Sequence, residues 1–469
     1  MEKKSIYSLK SIRYGVTNGF STLLTTVAST FWAIFLTSAV GLETAVMATV
    51  LTIGSLADLI SIPIVGVVMQ KTKFKKGGKY RPWLVIGGVG AALLRWLSFT
   101  DIGLTGMGRA IWFAGTYILT YLLFNFAYTA FTGLLPLMAK DPRERVAFSS
   151  ARVMLNSVGK FLFSLTSVAL ISAFSGGGEG SSFGYSMFAL LIAVLVSFGF
   201  IQLFFASKEY DVIESISDEK RIGKMKDQYD ATIWEMLKSS ITKPYLLYLI
   251  SAVAKACIFF SIMGLAAYYY NYVVGDMSKL TLFLSLSTFL MIIGSFITPF
   301  VNKVLKGGRN TYIFGVSIFG ICLALAYFLG NTAMSFTVLL ALGYFGYSFA
   351  HASEVAIFTM IADYNEWKSG KNVKPFMMSL FSLTPKIATT VGAAIVGFGL
   401  VGIGFDAENV TADAISGIRI LISLLPAVFA AISAIALVFF PLTDQKVTQL
   451  QNEMEEKKQA TQIKKEEIV

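Results

Sequence analysis

Seven ionisable side chains stand inside long apolar runs of this chain: Asp58, Arg95, Lys160, Lys255, His351, Glu354 and Lys386, with Arg152 near the end of another run. A charge at bilayer depth costs about 2.5–3.5 kcal/mol on insertion scales, so such a residue faces a cavity or a partner rather than lipid. Asp58 is the most demanding. It precedes Lys71 by 13 residues, roughly 20 Å along a helix, and so short a side chain cannot reach the surface over that distance. It needs an opposite charge, a bound cation or a proton. A static ion pair, for instance with Lys386, competes with a place on an ion or solute path, and the path is the default for an intramembrane charge. His351 and Glu354 are three residues apart and share a helix face, where they could relay a proton or simply satisfy each other. Arg152, Asn156 and Lys160 recur every four residues, a polar stripe expected to face the interior. Arg95 and Lys255 read as packing or interfacial residues. The run "YYYNY" at 268–272 reads first as an interfacial anchor and second as a stacking platform for a sugar ring.

The elements that must carry these residues are apolar helices. The chain has 469 residues, 55% hydrophobic and 14% charged, where a soluble protein would have about 25% charged. Apolar runs of membrane-crossing length recur from end to end. Twelve spans are expected, near 14–38, 43–70, 83–101, 108–138, 146–173, 185–206, 244–273, 280–302, 311–329, 336–361, 376–403 and 415–441. Of the 39 Lys and Arg, 31 fall in the termini and alternate connections, while the opposite connections hold only Arg109 and Lys279. The positive-inside rule then places both termini in the cytoplasm of a multi-pass cell-membrane protein. The net charge of +11 reflects that orientation rather than affinity for nucleic acid. The first apolar run is too long for a cleavable signal peptide and more spans follow it. Cys257 and Cys322 lie in apolar runs and there is one His, so neither a disulfide framework nor a metal site is expected. "GGGEGSS" at 176–182 lacks the features of a phosphate loop. No nucleotide-binding signature is present, which argues against an ATP-driven pump, and no cofactor is expected.

A polar segment at 207–243 divides the spans six and six, giving an N-terminal bundle (1–206), a central cytoplasmic loop (207–243), a C-terminal bundle (244–441) and a cytoplasmic tail (442–469). "KFKKGGKY" at 73–80 is echoed by "KVLKGGRN" at 303–310, each after the second span of its half. Repeated halves are a habit of secondary transporters.

Three stretches carry a family likeness: "DLISIPIVGVVMQKTKFKKGGKYRPWLVIGG" (58–88), "PLMAKDPRERVAFSSAR" (136–152), and "ADYNEWKSGK" (362–371) followed by "SLFSLTPKIATTVGAAIVGFGL" (379–400). With them the chain resembles the glycoside–pentoside–hexuronide:cation symporters, the melibiose-carrier-like branch of the major facilitator superfamily. The resemblance implies an all-α membrane protein with the major facilitator fold. It matches Asp58 to the first carboxylate of a cation site, Lys386 to a lysine linking cation and sugar sites, and Arg152 to an arginine near the sugar. Asp363 and Glu366 match cytoplasmic acids that could pair with Arg81 or Arg145 in a gate, to which Lys79 and Asp141 also belong. The second cation-site carboxylate is Ile62 here, and Ser61 is the polar residue of that site. Thr22, beside Ser21, replaces one of a sugar-gripping pair. Tyr128 and Thr132 replace a sugar-binding Asp and Trp, Asn125 lies on the same span, and His351 replaces a tenth-span Trp. These departures argue against galactoside specificity. One carboxylate is also a poor sodium site, because hard cations want several oxygens and negative charge.

The expected activity is therefore cation-coupled symport of a sugar or glycoside by alternating access, by a protein acting as a monomer. Protons, through Asp58 or the His351–Glu354 pair, are favoured over sodium. Two other readings compete: a carrier of a non-sugar organic or amphipathic solute, and an intramembrane glycosyl or lipid transferase built around Glu354 and His351.

Overall fold

The computed structural model describes residues 8–72, 74, 78–139, 142–177, 180–211, 240–369 and 374–443, with six further positions between 446 and 453. Every regular element among them is helical: α1 (Leu9–Val27), α2 (Thr44–Lys71), α3 (Arg81–Ser98), α4 (Gly106–Met138), α5 (Pro142–Phe174), α6 (Ser182–Ala206), α7 (Lys243–Tyr268), α8 (Ser278–Leu305), α9 (Gly308–Leu329), α10 (Ala333–Ser369), α11 (Lys374–Gly402), α12 (Ala412–Arg419) and α13 (Leu425–Val438). A π turn at Ile420–Leu424 joins α12 and α13 into one rod. Helix α1 runs on through π turns at Ala28–Trp32 and Phe35–Ala39, and α7 through one at Tyr269–Val273.

Among the described residues, ten stretches are long and apolar enough to cross a membrane. The two expected spans that fall short are α1 and α3. Helix α1 spends much of its length on Asn18, Ser21, Thr22, Thr25 and Thr26, which line a cavity rather than meet lipid. Helix α3 has only 18 residues and carries Arg81 and Arg95. The bundle's outer face is apolar, with Phe296, Phe300, Ile111, Val153 and Phe205 exposed, as a lipid-facing surface requires. The central loop over 212–239, the tail beyond Glu453, most of the basic motif at 73–77 and part of the 176–182 connector lie outside the described residues.

Helix packing repeats. Helix α1 lies against α5 and α6, α3 against α4 and α6, and α2 against α4. The same arrangement recurs with α7 against α11 and α13, α9 against α10 and α13, and α8 against α10. Between the two sets, α2 packs on α11 and α5 on α8, which is again a symmetric exchange. Small residues permit the closest crossings. A Cβ on Gly19 would lie 2.7 Å from the Leu155 carbonyl oxygen, and one on Gly397 would lie 2.6 Å from Ala48 Cα at the crossing of α2 with α11.

Arginines at the starts of α3 and α9 also share a role. Arg81, at the start of α3, donates from Nε to the Phe204 carbonyl near the end of α6 (2.9 Å). Arg309, at the start of α9, donates from Nε to the Leu437 carbonyl at the end of α13 (2.8 Å). Each cation satisfies carbonyls that a helix end leaves without partners. The carboxylate of Asp211 completes the first site by accepting from the backbone N–H of Lys79, Tyr80 and Arg81 at 2.7–3.0 Å, an N-terminal anchor for α3.

At the end of the bundle carrying residues 37–44, hydrogen bonds cross between the sets. The hydroxyls of Thr37 and Tyr268 share one at 2.8 Å, Tyr272 donates to Ser38 (2.6 Å), and Thr44 donates to the Phe405 carbonyl (2.7 Å). The expectation for "YYYNY" is corrected here. Tyr268, Tyr269 and Tyr270 are buried, the first two packed on Phe405 and Phe336 and the third bonded to Thr337. They are packing and latch residues, neither a lipid-interface belt nor part of the cavity lining.

Candidate functional site

A cavity of about 700 Å³ lies between the two sets, lined by α1 with its π turn, α2, α4, α5, α7, α8, α10 and α11. Helices α3, α6, α9, α12 and α13 contribute none of its lining. The cavity volume suits a mono- or disaccharide-sized solute.

Asp58 projects from mid-α2 into this space, and the side chain is only 5% exposed. Lys386 reaches it from α11, with Nζ 2.7 Å from Oδ2 and 3.0 Å from Oδ1. Asn125 of α4 closes the cluster. Its Nδ2 donates to Asp58 Oδ1 and to Ser61 Oγ, both at 2.7 Å, and its Oδ1 lies 3.4 Å from Lys386 Nζ. Lys386 follows Pro385, which has no N–H to give to the preceding turn of α11. One turn on, Thr390 donates to the Ser55 carbonyl and ties α11 to α2 beside the pair (3.2 Å). Asn125, expected among substrate-binding residues, is thus also part of the charge cluster. The Lys386 ammonium also sits 5.8 Å from the Tyr121 ring.

A second cluster stands across the cavity. Lys255 of α7, almost fully buried, bonds Glu354 of α10 at 2.5 Å. Glu354 also accepts from His351 Nδ1 at 3.1 Å, and Lys255 Nζ lies 3.4 Å from that nitrogen. The His351 ring stacks on Tyr347 and faces the cavity, while Glu354 sits behind it. The sequence reading of Lys255 as a packing residue is corrected: it is the counter-charge of Glu354. The rule that flagged Asp58, that an intramembrane charge wants a partner, would have found it.

The stripe on α5 faces inward as expected, and Arg152, Asn156 and Lys160 all line the cavity. Arg152 donates to the Tyr128 hydroxyl (2.7 Å), and its carbonyl accepts from Asn18 (3.4 Å). Asn156 donates to Thr22 Oγ1 (2.7 Å). Thr22, Asn125, Tyr128, His351 and Lys386 therefore share the cavity with Arg152 and Ser21. Thr132 does not. It turns its hydroxyl to the Tyr128 carbonyl one turn back. Arg95 is fully buried beside the rings of Tyr117 and Tyr121, at 5.3 and 5.0 Å, outside the lining.

Of the expected gate residues, Asp141 and the Arg145 side chain lie outside the described residues. Arg81 is engaged within its own set by Phe204 and Asp211, as above. Asp363 is buried near the end of α10, Glu366 is half-buried one turn further, and Lys79 flanks the Asp211 anchor. Among the described residues no three His, Cys, Asp or Glu side chains converge as a metal site.

A membrane-helix bundle in two similarly packed sets, with a cavity between them and an ion pair shared across it, defines a carrier for small solutes. Comparison with known proteins gives the family. Residues 14–444 match the family described as MFS/sugar transport protein. Similar proteins include the "Uncharacterized symporter YjmB" of Bacillus subtilis (strain 168), 26% identical and covering 90% of each chain. The "Isoprimeverose transporter" of Lactiplantibacillus pentosus is 25% identical, over 91% of this chain and 87% of the relative. The crystal structure of a D-xylose–proton symporter superposes with a TM-score of 0.62 at 11% identity, covering 94% of this chain and 97% of that one. That likeness speaks for the fold. The chain belongs to the MFS/sugar transport protein family, and is a multi-pass membrane transporter rather than an enzyme. The transferase reading is set aside.

Proposed function

We propose that the protein is a proton-coupled symporter of a sugar or glycoside, working by alternating access through the central cavity. The observation that carries this reading is the Asp58–Lys386–Asn125 cluster, in which a buried carboxylate of one set is answered by a lysine of the other. A proton arriving on Asp58 removes the charge that holds Lys386, which is 27% exposed to the cavity and free to turn to a solute oxygen. With neither proton nor solute the ion pair satisfies the site, and with both the solute replaces it. One ligand alone leaves a charge unanswered, so closure around it is costly, and coupling is that difference.

Asn125 favours the proton over sodium. It presents its NH2 group to Asp58 and Ser61, so it donates where a hard cation would need an acceptor. His351, on the cavity side of Glu354 and Lys255, is a second place for a proton to enter the cycle. Relatives named as an isoprimeverose transporter and as lactose permeases support a glycoside solute.

The proposed topology has twelve spans, with α1 and α3 included because their polar residues face the cavity and helix ends. It has both termini in the cytoplasm and two six-helix halves that rock as units. The recurring helix packing and the paired arginine caps support that division. Each unit of pH difference supplies about 1.4 kcal/mol, tenfold accumulation. For a neutral solute the membrane potential adds about 2.3 kcal/mol per 100 mV.

The test is uptake by the reconstituted protein. Adding solute outside should alkalinise an unbuffered medium, and Asp58→Asn should end uphill uptake while solute exchange persists. A sodium requirement with no pH change would overturn the proton. Unaltered accumulation by Asp58→Asn would remove Asp58 from coupling.

A further inference from the structure

Arg95 is fully buried in α3, and none of its three guanidinium nitrogens has a hydrogen-bond partner among the described residues. A guanidinium keeps its proton however deeply it is buried, so the positive charge is permanent. The acid nearest in sequence, Asp101, is bonded to Arg109. Helix α6, which packs on α3, has no charged residue. What Arg95 does meet is an aromatic wall. Its guanidinium lies 5.3 Å from the Tyr117 ring and 5.0 Å from the Tyr121 ring. Trp32 stacks on Tyr117 at 4.0 Å and donates to the Ser98 carbonyl of α3. A Cβ on Gly54, one turn before Asp58, would lie 2.3 Å from Tyr117, so the wall is fixed against both α2 and α3. Lys386, which lines the cavity, has its ammonium 5.8 Å from the same Tyr121 ring. Two cations therefore share one ring and lie within about 11 Å of each other, a distance over which buried charges still act on one another.

A long apolar side chain would fill this space without stranding a charge in a low-dielectric interior, so packing alone does not account for an arginine. Resting on the proton-symport reading, we propose that Arg95 is a positioning residue for coupling, a fixed positive charge that acts on Asp58 through the Tyr117–Tyr121 wall. Its part comes once Lys386 has turned to the solute. Asp58 must then give up its proton with no lysine beside it, and a lone buried carboxylate would hold that proton too tightly to let it go. Arg95 answers the returning negative charge from a distance. It also repels Lys386, which eases the lysine's departure. Few other groups compete for that part. Tyr117, Tyr121 and Asn125 approach Asp58 from α4 and Lys386 from α11, while α2 itself contributes only the hydroxyl of Ser61 to the cluster. Arg152, Lys160 and His351 line the same cavity but lie outside this cluster.

The experiment titrates the Asp58 carboxyl by infrared difference spectroscopy on the purified full-length protein without solute, the signal being assigned by its loss in Asp58→Asn. A unit charge acting over about 12 Å at an effective dielectric constant of about 20 is worth about one pH unit, tenfold in proton affinity. Arg95→Met should therefore move the midpoint of the Asp58 titration about one unit to higher pH. Arg95→Gln, a second neutral variant should the first fold poorly, should move it the same way. Arg95→Lys keeps the charge and should hold the midpoint near that of the unaltered protein. A residue that only packs would change the unfolding temperature and leave the midpoint where it was. An Asp58 that titrates with a midpoint unmoved by both neutral variants, or moved as far by Arg95→Lys, would overturn the inference and leave proton symport standing. An Asp58 carboxyl that takes up no proton anywhere in the pH range over which the protein stays folded would overturn both.

Discussion

Asp58 and Lys386 are 328 residues apart in sequence, and each is intolerable in a membrane without the other. Removing one partner of a buried ion pair leaves the other charge stranded, at a cost of about 3–5 kcal/mol. The exposure of Lys386 to the cavity puts this pair towards the lower end. Lys386→Met and Asp58→Asn should therefore each lower the unfolding temperature in detergent, and the double variant should recover most of the loss. Equal and additive losses would mean that the two charges do not depend on each other. The Lys255–Glu354 pair is drier on the lysine side, so Lys255→Met should destabilise more than Lys386→Met. If Lys386→Met proves the more damaging, the burial argument fails.

Two features at the scale of helices govern movement between the sets. The first is the crossing of α2 with α11, where Gly397 sits against Ala48. A larger side chain there must wedge the helices apart, because the atom it meets is backbone. Gly397→Leu should slow transport strongly while leaving a folded protein that still binds solute in detergent. Normal transport by Gly397→Leu would show that this close approach plays no part in the cycle. The second is the latch between the π turn at Phe35–Ala39 and the end of α7 with the π turn that follows it. Tyr268→Phe removes the bond to Thr37, worth about 0.5–1.5 kcal/mol net, enough to shift the balance of two conformers by up to about tenfold. Hydrogen exchange at residues 37–44 should rise in that variant. Unchanged exchange would mean that aromatic packing alone holds the end shut.

For the molecule as a whole, the repeat makes its own prediction. Arg81 and Arg309 hold equivalent helix ends in the two sets, so Arg81→Met and Arg309→Met should lower the unfolding temperature by similar amounts. An effect confined to Arg81 would point to a gating role instead of a structural one. Much of this architecture is legible in the chain. Long apolar runs have one low-cost solution in lipid, the helix, because it satisfies its own backbone. The basic bias of alternate loops and the echo at 303–310 point to orientation and repetition. Lys255 and "YYYNY" are less legible, for one reason. A side chain on a helix that is apolar all round gives no sign of whether it meets lipid, a neighbour or a cavity.

The sequence by itself determined that certain residues, Asp58 above all, could not stand alone in a membrane. That follows from the cost of a charge in a low-dielectric medium, which composition and position are enough to establish. Only the tertiary structure decided who answers whom: Lys386 for Asp58, Lys255 for Glu354, Tyr128 for Arg152, and no residue among those described for Lys160. Pairing depends on which helices cross and at what rotation. Those are set by close packing at glycines such as Gly19 and Gly397, summed over the whole bundle and invisible in any one stretch of chain.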